Sequence, residues 1–105
     1  PSLSWVGRVK TDEGEVLRLS FKDVRTLTTS DHQPIRGFEL LDADGLIHSV
    51  TAEAFGDVVC IPIPKSIRSQ RLTIRYGWKP FTDANLVGDT GLPVSTFMTR
   101  EDELL

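Results

Sequence analysis

Apolar and polar residues alternate with a period of two along most of the chain. In the segment "EVLRLSF" the side chains of Leu17, Leu19 and Phe21 share one side of an extended backbone, and the residues between them point to the other side. Turn-forming sequences, "TDEG" at 11–14 and "DADG" at 42–45, separate such stretches. The pattern therefore predicts strands that are joined in pairs by short hairpins.

The spacing of these signals predicts an all-β fold. Roughly six short strands follow one another, and no segment has the 3.6-residue period of an amphipathic helix. Residues 1–105 are thus expected to form a single small antiparallel β-sandwich, with an immunoglobulin-like arrangement and a jelly-roll-like one as alternatives. Gly7, between Val6 and Val9, indicates a β-bulge in the first strand.

The segment 78–99 departs from this pattern, because its apolar residues follow neither a helical nor a strand period. A disordered segment would be poor in such residues, whereas this one is rich in them. The sequence therefore predicts a long, irregular, apolar C-terminal segment that a neighbouring domain covers. The apolar residues concerned are Trp78, Phe81, Leu86, Leu92, Val94, Phe97 and Met98.

Length, composition and charge limit the class of protein. A chain of 105 residues has room for one core, and 39% hydrophobic and 26% charged residues are ordinary values for a folded domain. The formal net charge is −3 and no Lys or Arg cluster matches a row of phosphates, so no nucleic-acid partner is expected. Apolar runs stay far below the roughly 20 residues that cross a bilayer, so no membrane association is expected. The start at Pro1 suggests a piece of a longer protein.

Cys60 and two histidines are the candidates for reactive chemistry. A single cysteine forms no internal disulfide and no cysteine-based zinc site, and a buried, inert thiol is expected. A serine hydrolase requires a histidine base, for which His32 and His48 are the available residues. His32 lies in the turn-forming sequence "TTSDHQP", His48 lies on a predicted strand, and no Gly-x-Ser-x-Gly motif supplies a nucleophile. The chain itself is therefore expected to carry no catalytic set.

The sequence "DADGLIHSVTAE" has some of the spacing of a calcium loop. Asp42, Asp44 and Glu53 fall at the first, third and twelfth positions of an EF-hand loop. Leu46 at the fifth position has no oxygen ligand, and Ile47 stands where the loop requires glycine. A tight Asp-Gly hairpin turn explains the same residues. No metal or other cofactor is expected.

Aromatic residues provide a second class of candidate site, because an aromatic ring can stack on a sugar. The candidates are Trp5, Tyr76, Trp78 and Phe81. Tyr76 alternates with the apolar residues of its strand, so it is expected in the core. For Trp78 and Phe81, at the end of that strand, two interpretations stay open. They stack on a sugar, or they anchor an interface with another domain.

The C-terminal sequence "RYGWKPFTDANLVGDTGLPVSTFMTR" resembles the closing segment of the sialate O-acetylesterase (sialic acid-specific 9-O-acetylesterase) family. There an Arg-Tyr-x-Trp strand end is followed by Asn-Leu and then by Gly-Leu-Pro-x-Ser-x-Phe-x-Thr. The matching residues are Arg75, Tyr76, Trp78, Asn85, Leu86, Gly91, Leu92, Pro93, Ser95, Phe97 and Thr99. An earlier stretch is similar to the same family at Phe21, Val24, Leu27, Thr28, Gly37, Phe38 and Glu39.

This resemblance implies a small β-rich domain at the C-terminus of a carbohydrate esterase whose catalytic domain is an SGNH hydrolase. Such enzymes remove acetyl groups from sialic acid or related sugars. In the family, the nucleophilic serine, the oxyanion-hole residues and the Asp-x-x-His element lie upstream, and no motif of this chain matches them. The family also implies an exported, periplasmic or lysosomal location.

The expected role is therefore non-catalytic support of the upstream catalytic domain, on which the segment 78–99 would pack. The first alternative is a carbohydrate-binding module that presents acetylated glycans, such as acetylated sialic acid. The second alternative is an adhesion-type sandwich unrelated to esterases. The residues expected at the domain interface are Trp78, Phe81, Asn85, Leu86, Leu92, Pro93 and Phe97.

Overall fold

Two four-stranded antiparallel sheets and a small two-stranded one carry the fold. They are seen in a computed structural model, which describes residues 1–12, 14–78 and 83–101. Within these residues the regular structure is ten strands and one 3₁₀ turn at Lys65–Ile67. The predicted all-β sandwich is thereby confirmed.

The first sheet has the strand order β1-β2-β7-β6. Its strands are β1 (Ser2–Thr11), β2 (Gly14–Lys22), β7 (Val58–Pro62) and β6 (Glu53–Phe55). The β1–β2 hairpin turns where the sequence predicted it, and β6 and β7 form a further hairpin. The predicted position of the bulge is wrong, because the register shifts between Leu3 and Trp5 while Gly7 pairs regularly with Arg18. Gly7 serves a different purpose, since its missing side chain leaves space for the Trp5 ring.

The second sheet has the order β10-β8-β4-β5, and β3 pairs with β9 beside it. These strands are β3 (Thr28–Thr29), β4 (Phe38–Leu41), β5 (Ile47–Ser49), β8 (Thr73–Tyr76), β9 (Leu86–Val87) and β10 (Phe97–Arg100). Between β4 and β5 the Asp42 Oδ1 accepts hydrogen bonds from the backbone N–H groups of Asp44 (2.9 Å) and Leu46 (3.0 Å). The hairpin interpretation of "DADG" is therefore confirmed.

One core lies between the two four-stranded sheets, because each sheet directs every second side chain inward. Its most completely buried side chains are Leu17, Leu19, Leu40, Val59, Ile61, Ile63, Leu72, Ile74 and Leu86. The strand orders correspond to the ABED and GFC sheets of immunoglobulin sandwiches, with β5 added beside β4. The topology thus favours the immunoglobulin-like alternative over the jelly roll.

Candidate functional site

The C-terminal segment is more regular than its sequence predicted. β9 pairs with β3, and β10 forms the edge of the second sheet next to β8. Strands of two and four residues are too short to establish a visible period, and their partners are distant in the sequence. The described remainder of the segment runs in loops between these strands.

Two of the expected interface residues are covered by this domain itself. Asn85 and Leu86 are only 3% and 1% exposed. The Asn85 side chain accepts a hydrogen bond from the backbone N–H of Arg36 (2.7 Å), and it donates to the Asp31 carboxylate (2.9 Å) and the Pro34 carbonyl (3.0 Å). The sandwich itself therefore satisfies the polar groups of the Asn85 side chain and buries the Leu86 side chain.

Phe97 takes an intermediate position. It is half-buried, and its ring centroid lies 6.0 Å from that of Tyr76, 6.2 Å from that of Phe38 and 6.3 Å from that of Phe21. Tyr76 is buried in the core as predicted. Phe97 therefore closes the aromatic end of the core at the edge strand β10.

Three of the expected interface residues are exposed. Trp78 is 48% exposed and Leu92 is 62% exposed, and Pro93 is also on the surface. Trp78 leaves the alternation of β8 because the strand ends at Tyr76 and Gly77 turns the chain with a φ of 64°. Phe81 lies outside the described residues.

The exposed residues belong to the end of the sandwich at which the described chain starts. The backbone N–H of Ser95 donates to the Pro1 carbonyl (3.0 Å), and a Cβ at Gly88 would contact the Pro1 ring. Gly77, which directly precedes Trp78, packs against the side chain of Thr96. We call this region the end surface, and it comprises Pro1, Trp78 and residues 88–96.

A shallow groove of about 230 Å³ lies beside Trp78. Its lining residues are Ile35, Arg36, Gly37, Phe38, Glu39, Ser49, Val50, Trp78 and Asp83. Arg36 forms ion pairs with Asp31 and with Asp83, the latter at 3.1 Å. The Arg36 guanidinium, together with Asn85, holds the pKa of the Asp31 carboxyl far below its usual value. An exposed indole therefore stands next to charged groups in a concave site.

Sequence reasoning missed the polar network around Asp31 and Arg36. In the sequence, Asp31 is recognisable only as part of a turn, and no motif marks Arg36. The one available signal was the density of turn-forming residues in "TTSDHQP", which suits side chains that bond to nearby backbone. Nothing in the local sequence identifies Asn85, 54 residues after Asp31, as their common partner.

The two histidines have structural surroundings. His32 is exposed in a turn with a φ of 59°, which agrees with the predicted surface turn. His48, on β5, contacts the Asp42 carboxylate through Nε2 at 2.9 Å, and this carboxylate also caps the β4–β5 turn. Hydrogen bonding to His48 is the main cause that lowers the pKa of Asp42. The pair thus stabilises a hairpin.

The described part of the chain has neither a cluster of metal-ligating side chains nor a membrane-spanning helix. Within residues 1–12, 14–78 and 83–101, no three His, Cys, Asp or Glu side chains are grouped closely enough to hold a metal ion. The same part of the chain contains no helix with the length and apolarity that a bilayer crossing requires.

A similar solved structure is that of a carbohydrate acetylesterase from Xanthomonas citri. The similarity has a TM-score of 0.73 and 30% sequence identity, and it covers 94% of this chain and 22% of the acetylesterase chain. This chain thus spans about a fifth of the length of that protein. Comparisons with protein-family models and with curated proteins find no match. The structural likeness relates this domain to part of a carbohydrate esterase.

Proposed function

We propose that this chain is a non-catalytic C-terminal β domain of a larger carbohydrate esterase of the sialate O-acetylesterase type. Its role is to pack on and support an SGNH-type catalytic domain. The likeness of almost the whole chain to about a fifth of a carbohydrate acetylesterase supports this proposal, because most of that enzyme lies outside the region of similarity. The motif resemblance of the segment 75–99 supports the sialate-specific part.

The observation that carries the proposal is the position of the exposed apolar residues. Trp78 and Leu92 both belong to the end surface, which also contains Pro1. Any chain that precedes Pro1 in a longer protein reaches the sandwich at this end. A domain attached there is therefore placed next to a half-exposed indole and an exposed leucine. A few such apolar anchors commonly provide most of the energy of an interface.

The residues with catalytic potential fit a supporting role. His32 lies in an exposed turn, and His48 contacts the carboxylate that caps a hairpin. A general base must instead reach the proton of a nucleophile. We expect the purified 105-residue chain to hydrolyse p-nitrophenyl acetate no faster than its His32→Ala and His48→Ala variants do.

Hydrogen–deuterium exchange tests the interface. The chain is compared alone and as part of the longer protein encoded with the sequence that precedes Pro1. Packing of a catalytic domain on the end surface slows exchange in residues 88–96 of the longer protein. In that protein, Leu92→Ser lowers the thermal stability of the assembly and restores fast exchange at the end surface, because it replaces an apolar anchor by a polar group.

Leu46→Ser is the matched control. Leu46 has the same 62% exposure as Leu92, but it follows the β4–β5 turn at the opposite end of the sandwich. We expect this variant to leave both the exchange and the thermal stability unchanged. Equal exchange at the end surface in the short and the long protein would contradict the proposed packing.

A carbohydrate-binding module is the second candidate function. It is favoured by the groove beside Trp78, in which an exposed indole is accompanied by Arg36, Glu39, Ser49 and Asp83. Apolar ring stacking combined with a few polar groups is typical of small-ligand sites.

Fluorescence titration of the 105-residue chain tests this second function. Acetylated xylo-oligosaccharides or a 9-O-acetylated sialoside should change the tryptophan emission saturably, and Trp78→Ala should abolish the Trp78 part of the change. Unchanged emission with both ligands would rule out binding at this groove and would leave the domain interface as the function of Trp78.

A further inference from the structure

The outer face of the first sheet consists of the side chains of β1, β2, β7 and β6 that point away from the core. Strand register aligns these side chains in three rows across the sheet. The first row is Trp5, Ser20, Val58 and Phe55, the second is Gly7, Arg18, Cys60 and Glu53, and the third is Val9, Val16 and Pro62. Most of these positions are apolar although they lie on the outside of the sandwich, which marks a candidate interaction surface.

Trp5 has an unusual position on this face. Its indole lies over Gly7, because a Cβ added at Gly7 would collide with the ring atoms Cζ2 and Cη2. Gly7 does not need the left-handed backbone that other glycines of the chain adopt, so its role is to provide space for the ring. The ring rests on the sheet and remains 42% exposed, so its other side faces solvent. Trp5 therefore forms a stacking platform on the sheet.

A cavity of about 460 Å³ opens on the same face. Val16, Cys60 and Pro62 provide its apolar lining, and the polar lining residues are Thr11, Asp12, Thr51 and Glu53. Arg18 pairs with Gly7 on one side and with Cys60 on the other, so it stands between the platform and the cavity. Gly7 and Cys60 are separated by two strand spacings, about 9 to 10 Å. Platform and cavity are thus adjacent parts of one surface.

We propose that the outer face of the first sheet binds a carbohydrate chain, with one sugar ring on Trp5 and a following unit in the cavity at Cys60. This site is distinct from the groove at Trp78, which lies on the other sheet. The choice of a carbohydrate over other ring-shaped ligands rests on the proposed function, and the bound chain would be the glycan to which the parent esterase is directed.

The chemistry of the face matches that of a pyranose. One face of a pyranose carries axial C–H groups, whose partly positive hydrogens are attracted to the electron-rich face of an indole. The ring edge carries hydroxyl groups that both donate and accept hydrogen bonds. Both kinds of partner are present in the second row. Arg18, next to the platform, supplies hydrogen-bond donors, and Glu53, in the cavity, supplies acceptors.

Nuclear magnetic resonance titration of the 105-residue chain with xylohexaose, chitohexaose and 3′-sialyllactose tests the proposal. At least one of them is expected to shift the indole N–H resonance of Trp5 saturably and to leave that of Trp78 in place. Trp5→Ala should weaken binding by about tenfold or more, since loss of 1.4 kcal/mol is a factor of ten. Leu46→Ala is the control, because Leu46 is exposed next to the other sheet and away from both Trp5 and the groove at Trp78, and this variant should bind normally.

Gly7→Ala is the sharper variant, because it retains the indole but displaces it from its position over the sheet. It is expected to weaken sugar binding several-fold with little change in the unfolding temperature. Binding as tight as that of the unaltered chain would contradict the role of the platform.

Cys60 is only partly buried, in contrast to the buried thiol expected from the sequence, and it lines the cavity. As the only cysteine of the chain, it gives an independent readout. A bound oligosaccharide should slow its alkylation by iodoacetamide.

The proposal is overturned if none of the three sugars shifts the Trp5 resonance or protects Cys60. It is also overturned if Trp5→Ala instead abolishes self-association of the chain, because the face would then pack on a second copy. Either result leaves the end-surface interface intact, which the exchange experiment tests separately.

Discussion

Individual polar side chains hold the C-terminal segment to the rest of the sandwich. Asn85 bonds to three groups of the loop that joins β3 to β4, and the Tyr76 hydroxyl accepts a hydrogen bond from the backbone N–H of Leu86 at 2.8 Å. These bonds are buried or nearly so, which makes a missing partner costly. Tyr76, Asn85 and Leu86 belong to the motif that resembles the esterase family. At these three positions the motif residues stabilise the fold of the domain itself.

Replacement of Asn85 by alanine should destabilise the domain. The variant leaves the Arg36 N–H and the Pro34 carbonyl without their partner, and the free energy of unfolding is expected to fall by about 2 to 3 kcal/mol. Chemical denaturation followed by circular dichroism measures the change. Gln33→Ala, in the same loop but exposed, serves as control and should stay within about 0.5 kcal/mol of the unaltered chain. Equal losses in both variants would refute the specific role of Asn85.

Tyr76→Phe removes the acceptor of the Leu86 N–H, and we expect a loss of about 1 to 3 kcal/mol. Burial raises the pKa of the Tyr76 phenol above its usual value of 10. Above pH 10 the unfolded chain loses this proton while the folded chain still keeps it. The free energy of unfolding is therefore unaffected by ionisation of Tyr76 below pH 10 and decreases as the pH rises further. Unfolding curves at pH 8 and pH 11 should show a smaller alkaline loss for Tyr76→Phe than for the unaltered chain. An identical alkaline loss in both would contradict this assignment.

Sequence patterns predicted the elements that are joined by local turns. The "TDEG" and "DADG" turns each join two strands that are neighbours in the sequence, so both partners of the hairpin lie within a few residues. The alternation of Leu17, Leu19 and Phe21 marks one of these strands. β9 and β10 instead pair with β3 and β8, which are far away in the sequence. Their two- and four-residue strands carry no period of their own, so the segment looked irregular. For the same reason the sequence identified exposed Trp78 and Leu92 as interface candidates but included buried Asn85 and Leu86 with them.

Several elements meet at Arg8 of β1. Its guanidinium bonds to Glu15 of β2 (2.9 Å), to Glu101 directly after β10 (2.7 and 3.0 Å), and to the backbone carbonyls of Arg68 and Gln70. The planar fork of arginine reaches these acceptors simultaneously. Arg8 thus links both sheets at the end of the sandwich opposite the end surface.

Arg8→Lys should loosen this link although it preserves the charge. A lysine has one point of attachment and cannot reproduce the bidentate contact with Glu101, so we expect a loss of about 2 kcal/mol in the free energy of unfolding. Hydrogen exchange should rise at Leu72, whose N–H donates to the same Glu101 carboxylate at 2.9 Å. Arg18→Lys, exposed on β2, is the matched control and should change neither quantity. Similar behaviour of the two variants would mean that the Arg8 fork has no structural role.

At the scale of the whole molecule, Asp31, Asp42 and Asp89 tie loops at three different places, and the folded state favours the ionised form of each of these three carboxyls. The pKa of Asp31 is lowered mainly by the Arg36 guanidinium, that of Asp42 by the hydrogen bond with His48, and that of Asp89 by the backbone N–H of Arg25. Asp89 lies in the end surface, so protonation there also affects the proposed interface.

Acid should therefore destabilise the domain in a predictable direction. A carboxyl whose pKa is lowered by folding binds fewer protons in the folded chain than in the unfolded chain. Its contribution to the free energy of unfolding is therefore fully present above the unfolded-state pKa of about 3.9, and it is lost as the pH falls below that value. The unfolding temperature should be nearly constant from pH 7 to pH 5 and should fall steeply below pH 4. Asp89→Asn should lower the unfolding temperature at pH 7. Between pH 7 and pH 3 this variant should lose less of its unfolding temperature than the unaltered chain, because the asparagine has no carboxylate to protonate. An unfolding temperature that stays constant down to pH 3 would contradict the assigned role of these carboxylates.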